Sequence, residues 1–128
     1  MSFVPNKKRP KHLALHLIKL PLPGIVSILH RVSGVLLFLA LPILLLMLQS
    51  SLRSPDTYTQ LTAVLSHPLL KLVCLGLLWG FLHHFCAGLR YLAIDLHWVH
   101  NLAQARSSSK AVMAVSLVLT ILMGVKLW

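Results

Sequence analysis

The sequence predicts an all-α integral membrane protein with three transmembrane helices, and three observations carry that prediction. Hydrophobic residues make up 57% of the chain and charged residues only 11%, with a mean hydropathy of +0.82, a composition far from that of soluble domains. Three apolar runs reach the roughly 20 residues that a helix rising about 1.5 Å per residue needs to cross a hydrocarbon core of about 30 Å. The basic residues gather near the ends of those runs.

In chain order, residues 1–20 form a basic arm carrying Lys7, Lys8, Arg9, Lys11 and Lys19. No short apolar segment with a small-residue cleavage site follows, and the arm is not rich in Arg and Ser. The expectation is a bacterial inner-membrane protein without a signal or transit peptide. The first helix is expected over about residues 25–48, with Pro21 and Pro23 near its start and a kink at Pro42. A polar stretch from Gln49 to Gln60 follows it. The second helix is expected over about residues 67–94, with Ser66 as N-cap, Pro68 in the first turn and Lys71 snorkelling outward. The third is expected to start in the Ser107–Ser109 cluster and to span about residues 107–127. Trp128 suits an interfacial anchor, and Ser116 and Thr120 can bond back to their own helix. The whole of residues 1–128 reads as one membrane-anchor domain, with no repeat and no soluble domain.

Only Asp56 and Asp95 oppose twelve Lys and Arg, a formal charge of +10. In a soluble chain that excess points to nucleic acid. Beside apolar runs it reports membrane orientation instead, so lipid rather than nucleic acid is the expected surrounding. The basic arm, Arg31, Arg90, Arg106 and Lys110 fall on one side, against Arg53, Lys71 and Lys126 on the other. The positive-inside rule then predicts a cytoplasmic N-terminus and a periplasmic C-terminus. Cys74 and Cys86 share one apolar run without metal-ligand spacing and read as small hydrophobes.

Ionisable groups inside a spanning helix are costly unless paired, solvated or used, so their positions are informative. Ser27, His30, Arg31 and Gly34 fall at i, i+3, i+4 and i+7, on one stripe of the first helix. A hydroxyl, an imidazole and a guanidinium together can bond a carbonyl ligand or pair with carboxylates. The same spacing also suits side chains that snorkel to lipid head groups. In the second helix Gly76, Gly80, His84 and Gly88 form an i+4 series, continued by Tyr91 and Asp95. The glycines clear a groove around one imidazole, which serves a flat ligand or close helix packing equally well. His84 lies six residues before Arg90, about 9 Å of helix, a depth that favours a neutral, metal-binding imidazole. His83 sits about 100° round the helix, off the glycine stripe, and is the less favoured of the two.

The run Ser27-Ile28-Leu29-His30-Arg31-Val32-Ser33-Gly34 resembles the S-x-x-H-R-x-S-G signature of the succinate dehydrogenase cytochrome b subunit family. His84, Gly88, Leu89, Arg90 and Asp95 fit its second signature, H-x-x-x-G, an aliphatic residue, R, then D five positions on. Tyr91 stands where that family usually has His or Phe, and Arg9-Pro10 suits it. The similarity covers essentially the whole chain.

The resemblance implies a bundle shared with a second small membrane anchor subunit. Together the two anchor a flavoprotein subunit and an iron–sulfur subunit, which oxidise succinate and pass electrons to ubiquinone. It implies His84 as one axial ligand of a haem b whose other ligand the partner supplies, and His30 and Arg31 near the propionates. Ser27 and Arg31 become quinone-site residues, while Asp95 supports the site by tethering Arg31 or assisting proton entry. A carboxylate at such a boundary equally well balances Arg90. The nearest rival is a fumarate reductase anchor. A small proton-coupled transporter using Arg31, His84 and Asp95 is disfavoured, since these candidates crowd towards the cytoplasmic half of the bilayer and the third helix offers no further relay candidate.

Overall fold

A computed structural model of the chain describes residues 19–127. The arm before Lys19, including Arg9-Pro10, and the terminal Trp128 lie outside the described residues. Four helices follow in order: α1 (Leu22–Arg53), α2 (Pro55–Leu65), α3 (Pro68–Asp95) and α4 (Leu102–Leu127). Of these, α1, α3 and α4 are long and apolar enough to cross a membrane, as the sequence predicts.

The helix ends differ from expectation for local reasons. α1 opens with Pro21 as its N-cap and Pro23 in its first turn, and runs unbroken through Pro42 to Arg53, well past Leu48. The polar stretch after Leu48 is therefore largely helical. It is divided at Ser54, whose hydroxyl accepts from the Thr57 N–H while the Thr57 hydroxyl accepts from the Ser54 N–H. With Pro55 in the first turn, this reciprocal cap starts the short helix α2. Ser66 does not cap α3; its hydroxyl donates to the Ala63 carbonyl at the end of α2. His67 is the N-cap instead, with Nδ1 accepting from the Leu69 N–H.

α3 ends in a Schellman arrangement. His97 N–H reaches the Ile94 carbonyl and Trp98 N–H the Ala93 carbonyl, with His97 at φ 58° in the left-handed region that glycine usually fills. α4 begins five residues earlier than the serine cluster suggests. The Asn101 side chain accepts from Gln104 N–H, and the Gln104 side chain accepts from His100 N–H. Ser107, Ser108 and Ser109 lie inside α4 and donate back to carbonyls of the preceding turn, as do Ser116 and Thr120.

α1 and α4 both pack on α3, and α1 also touches α4 and α2. Val26 of α1, Ala87 of α3 and Val112 of α4 form the shared apolar contact, flanked by Cys86, Tyr91 and Met113. The other enclosed side chains include Ser33, His83, Arg90, Ser109 and Ser116, while large apolar residues such as Phe38, Phe81 and Ile121 face outward. Small and polar groups inside with aliphatic groups outside is the arrangement lipid favours, since burying Leu against Leu gains nothing over burying it in acyl chains.

Candidate functional site

α1 and α3 run in opposite directions, so the polar stripe of the one meets the histidine pair of the other near the N-terminal end of α1. His84 is half-buried there. Its Nδ1 lies 2.9 Å from the backbone carbonyl of His30. A carbonyl oxygen can only accept, so Nδ1 carries the proton. The hydroxyl of Ser33 donates to the same carbonyl at 2.9 Å and lies 3.3 Å from His84 Nδ1. With Nδ1–H donating, the neutral ring has its lone pair on Nε2. Nε2 makes no hydrogen bond among the described residues.

The ring of His30 stacks on that of His84, with centroids 4.1 Å apart and planes within 10°. Tyr91 leans against His30 at 5.2 Å. His30 thus supports His84 twice, through its carbonyl and through its ring. Gly34 makes the approach possible, since a Cβ there would stand 2.9 Å from His84 Cε1. Among the described residues a Cβ added at Gly76 or Gly80 would meet nothing within 4 Å, so both border open surface, and the nearest atom to a Cβ on Gly88 is His30 Nε2 at 3.9 Å. Within this chain, clearance for His84 comes from α1.

His83 points into the three-helix interface and is 0% exposed. Trp79 lies 5.4 Å from its ring, and neither ring nitrogen has a hydrogen-bond partner of good geometry among the described residues. A side chain so enclosed has no route to a ligand outside the three helices.

Ser27 is half-buried and Arg31 is exposed; neither makes a hydrogen bond among the described residues. Arg31 borders a shallow apolar depression of about 270 Å³ with Val32, Val35 and Leu36. Asp95 is exposed at the last residue of α3 and contacts neither Arg31 nor Arg90 among the described residues. Arg90, 8% exposed, turns to α4 instead. It donates from Nε to the Ser108 hydroxyl at 2.9 Å and from the guanidinium to the Ala105 carbonyl at 3.2 Å.

The residues whose part sequence reasoning missed are Ser33 and Arg90. Both stand in the motifs, but what they touch depends on how the helices cross. Among the described residues no three His, Cys, Asp or Glu side chains converge to hold a bare metal ion. The donor set is one oriented imidazole.

The chain matches, over residues 5–123, the family described as succinate dehydrogenase/fumarate reductase transmembrane subunit. It is 36% identical over 124 residues to the succinate dehydrogenase cytochrome b556 subunit of Coxiella burnetii, covering 96% of this chain and 99% of that protein. The protein of the same name from Paracoccus denitrificans is 31% identical over 122 residues, covering 95% and 94% of the two chains. That of Rickettsia felis is 30% identical over 118 residues, covering 92% of each. With its three spanning helices and its paired histidines, the chain belongs to the succinate dehydrogenase/fumarate reductase transmembrane subunit family and is a membrane anchor of that kind.

Proposed function

We propose that this chain is the haem b-binding anchor subunit of a bacterial succinate:ubiquinone oxidoreductase, with His84 as one axial ligand. The observation that carries the reading is the 2.9 Å approach of His84 Nδ1 to the His30 carbonyl, which calls for the proton on Nδ1 and leaves Nε2 without a hydrogen-bond partner among the described residues. Metal-bound histidines are commonly oriented in this way, by donating the other ring N–H to a carbonyl. A single oriented imidazole suits a haem rather than a bare metal ion: His84 would hold the iron from this chain, and a partner anchor subunit would supply the other protein ligand. Bound there, the haem supplies one-electron exchange beside the path from the iron–sulfur subunit to quinone.

The remaining work falls to α1. Ser27 and Arg31 offer a hydroxyl and a guanidinium that no neighbour among the described residues consumes. Both donate to a quinone carbonyl, which gains negative character as it accepts electrons, so they stabilise the reduced form most. Arg31, with His30 beside it, is also the cation placed to pair with haem propionates. Asp95, exposed and unpaired with either arginine, serves proton entry to the quinone. The arm and the α3–α4 connection face the cytoplasm and the C-terminus faces the periplasm, a placement supported by the excess of bases on the first side. A periplasm-active reporter fused after Trp128 should be active, and activity only from an N-terminal fusion would reverse the orientation.

The test is a reduced-minus-oxidised spectrum of the complex purified with its native partners. The wild type should show a b-type haem, and His84→Ala should lose or severely weaken it. An intact low-spin haem in His84→Ala would assign the ligand elsewhere. The family description also covers fumarate reductases, and preference for menaquinol over ubiquinone in the same preparation would favour that reading.

A further inference from the structure

We propose that Ser33 and Gly34 are positioning residues for the iron ligand, forming a seat on α1 that fixes the ring orientation and hydrogen bond of His84. The inference rests on His84 as haem ligand and adds what holds it in place. A helical carbonyl usually accepts only the N–H four residues on, and its second lone pair is screened by neighbouring side chains. At His30 the outer side of the oxygen, shared with the Ser33 hydroxyl, is reachable across the helix crossing because position 34 has no side chain. A Cβ there would sit 2.9 Å from His84 Cε1, well inside ordinary carbon–carbon contact.

The atom that must yield to such a Cβ is the imidazole. It is the free end of a side chain, whereas its opponent is helix backbone. Retreat of the ring by about half an ångström stretches the bond from Nδ1–H to the His30 carbonyl, now 2.9 Å, out of good geometry. Parallel stacking on His30, with planes within 10°, restricts tilting as an escape. Ser33 fixes the other edge of the seat. Its hydroxyl is bonded to the same carbonyl and stands 3.3 Å from Nδ1, so the ring N–H has two oxygens to align on.

Donation from Nδ1–H makes an axial imidazole a stronger electron donor, which favours ferric over ferrous iron. The seat therefore sets a lower reduction potential than a loosely held histidine would. Because Ser33 and Gly34 follow His30 and Arg31 after a single residue, Val32, the residues offered to quinone and those aligning the iron ligand lie within two turns of one helix.

The experiment uses the complete purified complex carrying Gly34→Ala, Ser33→Ala, His84→Ala, or Gly24→Ala as control. At Gly24 an added Cβ meets nothing closer than 3.8 Å. Redox titration of the haem and the low-spin ferric electron paramagnetic resonance spectrum, which responds to axial ring orientation, are recorded beside the optical spectrum. Gly34→Ala should raise the midpoint potential and shift the resonance positions, Ser33→Ala should shift the resonance while retaining haem, and Gly24→Ala should match the wild type. If Gly34→Ala does not assemble, Ser33→Ala decides, since it removes one oxygen without adding bulk. Wild-type potential and resonance in both seat variants, with haem lost in His84→Ala, would overturn the seat while leaving His84 as ligand. Haem retained in His84→Ala would overturn the ligand assignment itself and the seat with it.

Discussion

Ser27 stands apart from Ser33 and Ser51 of the same helix, which donate back to carbonyls three residues earlier. A hydroxyl left unused in an apolar segment is costly unless something else accepts it. Loss of a donor aimed at developing negative charge typically costs about a hundredfold in rate, less where water substitutes. Ser27→Ala and Arg31→Leu should therefore slow ubiquinone reduction by about tenfold to a hundredfold, while succinate oxidation with a water-soluble acceptor is unchanged. Equal rates with both acceptors would remove these residues from the quinone site. In the same assay Asp95→Asn should slow quinone reduction if its carboxyl passes protons, and wild-type turnover would end that role. At this scale the spacing of α1 and α3 was enough to bring forward Ser27, His30, Arg31 and His84. It could not give the partners of Ser33 and Gly34, because periodicity along one helix says nothing of the register at which two helices cross.

Among the elements, hydropathy located the spanning helices, and turn chemistry decided where they end. Ser54-Pro55-Asp56-Thr57 held a legible capping signal that the polarity of the stretch obscured, and Asn101 with Gln104 held another. The serines of α4 illustrate why polarity misleads: in lipid a serine satisfies itself on its own helix and need not break it. Arg90 shows what polar groups do between elements. Its guanidinium joins α3 to α4 through Ser108 and Ala105, whereas His84 faces α1. Hydrogen bonds from charged donors contribute about 1.5–3 kcal/mol each, and their loss with the side chain's volume should destabilise the bundle by about 2–4 kcal/mol. Arg90→Ala should thus lower the melting temperature of the purified complex by several degrees and leave the haem spectrum unshifted. A spectral change equal to that of a His84 variant would show that the two faces of α3 are coupled.

As a whole, the chain places its polar groups where helices meet and its aliphatic groups outside, and it leaves the surface beside Gly76 and Gly80 open, on the stripe that includes half-buried His84. A low-spin haem b needs two strong axial ligands, and His83, the adjacent imidazole, is enclosed on the wrong side of α3. On the proposed reading, α1 and α3 supply one ligand and one wall of the haem site through His84. The opposite wall and the second ligand then come from another chain of the anchor. When this subunit is produced in membranes without the second anchor subunit, the low-spin b spectrum should be absent even where the polypeptide accumulates, and co-production of both anchors should restore it without the soluble subunits. Enclosure drives this outcome as much as coordination does, because a macrocycle held by one imidazole on a lipid-facing surface gains little over its free partition into the bilayer. A full low-spin spectrum from this chain alone would mean that two copies face each other through their Gly76–Gly80 surfaces, each contributing His84, and a cross-link between cysteines introduced at those two positions would trap that pair.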